Sequence, residues 1–315
     1  EAYLARRALD HLIGFSISPI LWRKLPGSKS AGRVQSVALK LICEREIEIE
    51  KFNIEEYWSI TSIFSKDDKQ QFTAKLSVLD NNKLAKMDLK NEKETNLALE
   101  KIRNSSFNIT KISTKRVRRN PMPPFTTSTL QQEASNKLGF GASRTMQIAQ
   151  RLYQGIDIDG DTIGLITYMR TDGTNISKDA IDNFRNYINE NYGKEYLPSA
   201  PLNYSGKKAK NAQEAHEAIR PTEITRNPDS LKKYLSTDQY KLYNLIWSRA
   251  LSSQMESAKF DRKTITINSD DNLNIFKASG SVLKFDGFLR LTSSDDDNEN
   301  EKILPNVEKG DVKIN

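Results

Sequence analysis

PMPPFTTSTLQQEASNKLGFGASRTMQIAQRLYQ (residues 121–154) opens a helical block in the middle of the chain. Its prolines break the strand-like sequence that precedes them. The first helix carries an apolar stripe of Leu130, Ala134 and Leu138, and Gly139 and Gly141 end it. A second helix follows, with Ser143 as its expected N-cap and Met146, Ala149 and Leu152 facing inward. This stretch predicts two helices across a tight glycine turn.

Short β-branched segments flank this block on both sides. YWSITSIF, QQFTAKLSVL and FNITKISTKRV lie before it, and KTITIN, NIFKASGSVLKF and GFLRLT lie within residues 263–292. Each has the partial alternation and polar boundaries of a strand. We therefore expect strands from both sides to pair into one sheet, interrupted by an inserted helical domain at 119–254. The β-rich domain would comprise 54–118 and 255–315.

Residues 1–53 read as a separate helical piece. The first helical pattern ends at Gly14, and a second amphipathic run follows, with Val34, Val37, Ala38, Leu41 and Ile42 on one face. The fold class is therefore multidomain α+β: a helical N-terminal piece, then a β-rich domain interrupted by a helical one.

The composition describes a globular, basic chain of 315 residues. It is 37% hydrophobic and 28% charged, with a net charge of +7, which suggests a polyanionic partner such as nucleic acid. The cluster KRVRRN (115–120) is basic, whereas SSDDDNENE (293–301) is acidic and expected to be a solvated loop. The lone Cys43 fits a reducing cytosol. The absence of an initiator Met suggests a start within a longer protein, and neither a signal peptide nor a membrane-spanning segment is evident.

SAGRVQS (30–36) leads into the second helix. Ser30 could cap it, and Arg33 and Ser36 share the face opposite the apolar stripe. Polar and cationic groups in a helix's first turns can seat a phosphate, but a solvated helix face is an equal alternative. Gly27 and Gly32 have Walker spacing, but Arg33 and Val34 stand where Lys and Ser/Thr are required, which disfavours a nucleotide P-loop.

Two further motifs have simple structural interpretations. The helix pair at 127–154 could be a DNA-reading helix-turn-helix, with Arg144 and Gln147 available on its second helix, although a plain helical hairpin is the more common arrangement. In GIDIDGD (155–161) the three aspartates could suggest a cation site. Their glycine neighbours favour a turn instead.

AQEAHEAIRPT (212–222) contains His216. A helix there would put His216 and Arg220 four residues apart on one face and end at Pro221. The motif lacks the second histidine of a zinc helix. It is compatible with anion handling, although a lone histidine is more often structural.

GLITYMRTDGTNIS (164–177) places Tyr168 and Arg170 after an apolar run. If Leu165 and Ile166 begin a buried strand, Tyr168 and Arg170 point to the same face. A phenol, with a pKa of about 10, needs a nearby cation to act as a nucleophile at neutral pH, and Arg170 could supply it. A packing tyrosine is the alternative that composition leaves open. Ser177 is expected to cap a helix with Ile181, Phe184 and Ile188 inward.

The chain resembles the type IA family of DNA topoisomerases. The matching segments are SAGRVQSVALKLICERE, PPFTTSTLQQEASNKLGFGASRTMQIAQRLY, GLITYMRTDGTNIS, AHEAIRPT and FDGF, in the same order and at similar spacing. The resemblance covers essentially the whole chain.

The resemblance implies specific residue roles. Tyr168 matches the nucleophile that forms a 5′-phosphotyrosine, and Arg170 matches the arginine that stabilises the scissile phosphate. His216 matches a histidine near the active site, with Asp172 as its partner. Arg33 matches a DNA-contacting arginine, with Gln35 and Ser36 as weaker candidates.

The resemblance also implies an architecture. Residues 1–53 would be the first half of a DNA-gripping helical domain, the β-rich segments an arch that hinges, and 119–254 a winged-helix-like domain bearing the tyrosine. The Mg²⁺ ligands of the family lie in a Toprim domain that nothing here matches. We therefore expect a central fragment that cannot relax supercoiled DNA alone. We expect its partner to be DNA, preferably single-stranded, its state monomeric, and its location the cytoplasmic nucleoid, with no ATP requirement.

Two other interpretations remain. The chain could be a non-catalytic DNA-binding module that uses its helix pair, or mainly a scaffold. A scaffold would expose the apolar face of the helix at 34–50.

Overall fold

The computed structural model describes residues 1–65, 71–204, 217–292, 304–305, 307–310 and 313–314. The chain forms two compact units, one of Glu1–Trp58 and Lys86–Thr95, the other of Ser59–Ala85 and Asn96–Asn315. None of the described helices has the length and apolarity that crossing a bilayer requires.

The first unit contains helices α1 (Ala2–Lys24) and α2 (Arg33–Glu50). The expected end of the first helix at Gly14 is wrong, because α1 continues through it. A glycine inside a helix costs only about 1 kcal/mol relative to alanine, which a helix of 23 residues tolerates. After α1, the chain is held by the indole N–H of Trp22, which donates to the carbonyl oxygen of Lys29 over 2.7 Å.

The start of α2 also differs from the expectation. Its N-cap is Gly32, without a side-chain cap, rather than Ser30. The helix has the predicted amphipathic pattern, but its apolar side chains are exposed: Val34, Val37, Leu41 and Ile42. Sequence periodicity therefore predicted the helix correctly, and its apolar side chains are exposed in the structure.

The second unit combines a large antiparallel sheet, a small hairpin and several helices. In chain order, the strands are β1 (Thr61–Ser65), β2 (Gln71–Leu79), β3 (Asn82–Lys83), β4 (Phe107–Arg119), β5 (Ile156–Ile158), β6 (Asp161–Ile163), β7 (Ala258–Ser269), β8 (Ile275–Phe285) and β9 (Lys313–Ile314). Helix α3 (Glu92–Arg103) begins in the first unit and continues into the second at Asn96. The helices that follow are α4 (Thr127–Leu138), α5 (Ala142–Gln154), α6 (Lys178–Asn191), α7 (Pro228–Leu231), α8 (Thr237–Ser252) and α9 (Leu289–Thr292), with a 3₁₀ turn at Lys194–Tyr196.

The large sheet joins strands from before and after the helical block. Its order is β4-β7-β8-β2-β1-β9, with β3 beside β2. Strand β4 pairs with β7 along its whole length, from Phe107 opposite Ser269 to Arg119 opposite Ala258. The chain therefore leaves the sheet at Arg119 and returns to it directly alongside. The domain boundaries themselves stay a prediction.

The sheet has its own aromatic core. The ring of Phe64 lies 5.3 Å from that of Phe276 and 6.1 Å from that of Phe107, each in an edge-to-face arrangement. Such pairs contribute about 1 kcal/mol beyond their burial. This core forms because alternate residues of the strands point to one face.

A second core lies between α4, α5, α6 and α8. Leu130, Ala134, Ala149 and Leu152 of the predicted stripes are fully buried in it. Gly139 ends α4, as predicted, and its backbone is left-handed. The expected Ser143 cap is wrong, because the N-cap of α5 is Gly141, two residues earlier.

GFLRLT is not a strand. Phe288 and Leu289 are both buried, so the segment lacks the alternation of a half-exposed strand. The Phe288 N–H donates to the carbonyl oxygen of Glu256 over 3.0 Å, and the Leu289 N–H donates to that of Asp286. The chain turns there into the short helix α9.

Candidate active site around Tyr168

The segment that carries Tyr168 is clamped on one side by residues 217–222. Ile166 forms a bridge with Pro221, and the Thr167 N–H donates to the carbonyl oxygen of Arg220 over 2.9 Å. The Thr167 hydroxyl donates to the carbonyl oxygen of Ala218 over 2.7 Å. Leu165 and Ile166 are buried as expected, but only an isolated bridge forms, so the expected strand is wrong.

The predicted helix at 212–221 is also wrong where the structure describes it, from residue 217 onward. Glu217 bridges Asn175, and Ile219 bridges Phe125, so residues 217–221 run extended between other segments. Pro221 contributes, because the residue before a proline disfavours the helical conformation. His216 lies outside the described residues.

Thr127, the first residue of α4, holds the other side of the segment. Its hydroxyl lies 2.8 Å from the carbonyl oxygen of Met169 and accepts the N–H of Thr171, also over 2.8 Å. Its own N–H donates to the carbonyl oxygen of Thr171. One hydroxyl thus fixes the backbone on both sides of Arg170.

This clamped backbone alternates between buried and exposed residues. Met169 and Thr171 are buried, whereas Tyr168, Arg170 and Asp172 are exposed. Tyr168 is 49% exposed, so its ring is not sealed in a core. The phenol and the guanidinium are both accessible, which the nucleophile interpretation requires.

The ring of Tyr168 rests against that of Tyr153. The two centroids are 5.4 Å apart, edge to face. Tyr153 lies in the last turn of α5, and its carbonyl oxygen would be only 2.8 Å from a Cβ placed on Gly164. Gly164 therefore allows the approach that brings the two tyrosines together.

We expect Gly164→Ala to destabilise the chain by about 1–3 kcal/mol, because the neighbour it meets is backbone rather than a mobile side chain. Thermal unfolding would measure the loss. Gly14→Ala is the matched control, since its Cβ meets only one atom, at 3.9 Å, and a helix interior favours alanine. Equal melting temperatures for the Gly164 variant and the parent would contradict the packing argument.

An ion pair supports the 217–222 clamp. The Glu217 carboxylate accepts the Arg220 Nε–H over 2.7 Å and the Ser177 N–H over 2.9 Å. Burial raises the pKa of Glu217, but the hydrogen bonds from Arg220 and Ser177 outweigh it and lower the pKa overall. Ser177 is the predicted N-cap of α6, but its side chain makes no cap bond.

This lowered pKa predicts a loss of stability in acid. A carboxylate with a depressed folded-state pKa stabilises the fold above its ordinary value of 4.5, and this contribution falls as the pH drops through the folded-state value. Glu217→Gln should cost about 1–2 kcal/mol at pH 7 and should flatten the decline in stability below pH 4.5. Chemical denaturation at several pH values would measure both effects. Glu223→Gln, at a more exposed ion pair, is the control. An unchanged acid decline would argue against this role.

Three other predicted site residues belong to the first unit. Arg33, Gln35 and Ser36 lie in the first turn of α2, and Gln35 and Ser36 are exposed. Sequence reasoning missed Thr127, Thr167 and Tyr153. The sequence around Thr127 and Thr167 gives no sign of their importance, because their side-chain hydrogen bonds are to segments distant in sequence.

The helix-turn-helix alternative receives mixed support. Helices α4 and α5 are followed by the hairpin β5–β6, a helix-turn-helix-and-wing order. Arg144, however, has an internal partner: its Nη2 lies 2.6 Å from an Asp238 oxygen. Gln147 stays exposed.

GIDIDGD forms the predicted turn. Asp159 and Gly160, both with positive φ, connect β5 to β6. Among the described residues, no group of three or more His, Cys, Asp or Glu side chains could hold a metal ion.

The sequence model of the family described as DNA topoisomerase matches residues 1–315. The chain therefore belongs to the DNA topoisomerase family. It is 54% identical over 308 residues to DNA topoisomerase 1 of Rickettsia felis, covering 97% of this chain and 40% of that protein. It is 50% identical over 322 residues to DNA topoisomerase 1 of Zymomonas mobilis, covering 100% of this chain and 25% of that protein.

A solved structure agrees with this assignment. Full-length topoisomerase I from Thermotoga maritima matches with a TM-score of 0.78 and 36% identity, over 99% of this chain and 48% of that one. The mixed α and β fold is therefore shared with a bacterial topoisomerase I. The chain spans less than half the length of each of these relatives.

Proposed function

We propose that the chain carries the nucleophile of a type IA topoisomerase. The Tyr168 phenol loses its proton and its oxygen attacks a DNA phosphorus atom. The bond from phosphorus to the 3′ oxygen breaks, and that oxygen takes up a proton as a 3′-hydroxyl. The 5′ end stays on Tyr168. Religation reverses these steps, so one phosphodiester is exchanged for another and no ATP is consumed.

The observation that carries this proposal is the exposure of both Tyr168 and Arg170 on a backbone that is held from two sides. Arg170 would stabilise charge on the non-bridging phosphate oxygens. Thr127 and the 217–222 segment limit the movement of that backbone, which positions both groups. Family membership makes DNA the substrate class.

The remaining roles extend the proposal. Asp172 would orient His216, which would assist proton transfer, and Arg33 would contact DNA with help from Gln35 and Ser36. In the complete protein, a Toprim domain would hold the Mg²⁺ that the family uses.

The architecture suggests how strands pass. The β-rich segments 54–118 and 255–315 would form the arch, and the winged-helix-like domain at 119–254 would lift away to admit the second strand. In this proposal the complete protein relaxes negative supercoils, prefers a single-stranded segment, and acts as a monomer in the cytoplasmic nucleoid. The 315-residue chain alone would be inactive.

Covalent trapping tests the proposal directly. The complete encoded protein would be incubated with a 3′-labelled single-stranded oligonucleotide and denatured, and the DNA-linked peptide would be identified by mass spectrometry. We expect the linkage on Tyr168. A linkage on another residue would contradict the assignment. Absence of any linkage would favour the second candidate, a non-catalytic DNA-binding module, which the order of α4, α5 and the hairpin supports.

A further inference from the structure

The hydrogen bonds that hold the backbone around Tyr168 do not by themselves orient its side chain. Those bonds act from Ile166 to Thr171, but they leave rotation about the Cα–Cβ and Cβ–Cγ bonds of Tyr168 open. A change of rotamer would move the phenol oxygen, at the far end of the ring, by several ångströms. Because attack needs the reacting atoms about 3–3.5 Å apart, the chemistry benefits from a further contact that holds the ring.

Tyr153 supplies such a contact. Its ring centroid lies 5.4 Å from that of Tyr168, edge to face, which is a preferred arrangement of two aromatic rings. Both rings are partly exposed, Tyr153 at 40% and Tyr168 at 49%. The contact therefore limits the movement of the Tyr168 ring on one side and leaves the rest of the ring accessible.

The backbone of Tyr153 is itself held close to the segment that carries Tyr168. The strands β5 and β6 lie between the two tyrosines in the sequence and pair antiparallel, which brings their flanking residues together. The Leu165 N–H donates to the carbonyl oxygen of the buried Leu152 over 2.8 Å, and the close approach at Gly164 involves Tyr153 itself. The Tyr153 ring thus projects from a backbone that is fixed relative to the Tyr168 segment.

We infer that Tyr153 is a positioning residue for the nucleophile: its ring holds the Tyr168 ring in the orientation that presents the phenol oxygen to the DNA phosphorus atom. The inference rests on the proposed function, in which Tyr168 attacks DNA. The ring of Tyr153 carries this role rather than its hydroxyl, because the contact is between the two aromatic rings. Tyr153 takes no part in bond making, so its loss should slow the chemistry without weakening DNA binding.

Two substitutions separate the ring from the hydroxyl. Tyr153→Leu removes both and keeps an apolar side chain, whereas Tyr153→Phe removes the hydroxyl alone. Tyr187→Leu is the matched control, because it breaks another edge-to-face pair of the helical block, with Trp247 at 5.7 Å. The complete encoded protein would be mixed in excess with a 3′-labelled single-stranded oligonucleotide, and the rate at which the covalent adduct forms would be measured. Fluorescence anisotropy would measure binding, and thermal unfolding would give the stability of each variant.

We expect Tyr153→Leu to form the adduct about three- to tenfold more slowly, the range that the loss of one aromatic pair corresponds to, with binding within about twofold of the parent. Tyr153→Phe should restore most of the rate, and Tyr187→Leu should lower the melting temperature but keep the parental rate below it. A parental rate for Tyr153→Leu would overturn the inference, as would equal slowing by Tyr187→Leu or by Tyr153→Phe. Weaker binding that accounts for the whole loss would also overturn it and would assign Tyr153 to DNA contact.

Crystal structures of the parent and of the Tyr153→Leu protein add a readout that does not depend on activity. We expect the Tyr168 side chain to occupy more than one rotamer in the variant. One and the same rotamer in both proteins would overturn the inference. An adduct on another residue of the parent would instead contradict the proposed function, while the rotamer comparison would still decide whether Tyr153 holds the Tyr168 ring.

Discussion

Replacing Tyr168 by phenylalanine should abolish covalent DNA linkage while leaving DNA binding within about twofold. The change removes one oxygen from a ring that is 49% exposed, so the packing against Tyr153 is preserved. Loss of a nucleophile usually lowers the rate by at least about four orders of magnitude. Relaxation of supercoiled plasmid by the complete encoded protein would measure the rate, and anisotropy would measure binding.

Tyr153→Phe is the natural control for this variant. It removes the same atom from the neighbouring ring and keeps the edge-to-face contact, so it should retain covalent linkage. If Tyr168→Phe still formed a denaturation-resistant DNA adduct, Tyr168 would not be the nucleophile. If it lost binding as well, the phenol would act in binding rather than in chemistry.

Thr127→Val should produce the second large effect. Valine keeps the shape of threonine but leaves the N–H of the buried Thr171 without its 2.8 Å acceptor, which costs about 1–3 kcal/mol. The backbone on both sides of Arg170 also loses its anchor. Because a displacement of about 1 Å can lower a rate by about a hundredfold, we expect a 10- to 100-fold lower turnover with a nearly unchanged KM.

Thr127→Ser restores the hydroxyl and should recover most of the turnover. Ser128→Ala, which removes a hydroxyl from the same turn without touching the Tyr168 segment, should have little effect. A purely structural role for Thr127 would lower the melting temperature of the valine variant without changing its turnover below that temperature. That result would remove Thr127 from the site.

Local periodicity predicted much of the fold. Sequence predicted the buried stripes of α4 and α5 and the turn at Asp159 and Gly160. These features depend on residues that are close in sequence, within one or two helical turns. Sheet strands on both sides of the helical block shared a recognisable texture. That texture predicted one sheet built from both sides of the block, but the pairing of β4 with β7 is visible only in the structure.

Features that depend on distant partners could not be read in the same way. Residues 217–221 have helical spacing, but their backbone groups bond to Phe125, Asn175 and Thr167 instead. The role of Thr127 was missed because its hydroxyl also bonds to a distant segment, whereas in the sequence it resembles part of a helix cap. The roles proposed for Tyr168 and Arg170 rest on family resemblance, and only the structure shows that both residues are exposed.

The chain leaves the sheet at Arg119 and returns at Ala258, directly opposite. The helical block between them could therefore be removed as a unit. Opposed residues of an antiparallel pair have Cα atoms about 5 Å apart, so a two-residue hairpin turn could close β4 onto β7 directly. Evolution could therefore have gained, lost or exchanged the tyrosine-bearing module without disturbing a single strand register. Protein engineers could insert a different domain between Arg119 and Ala258.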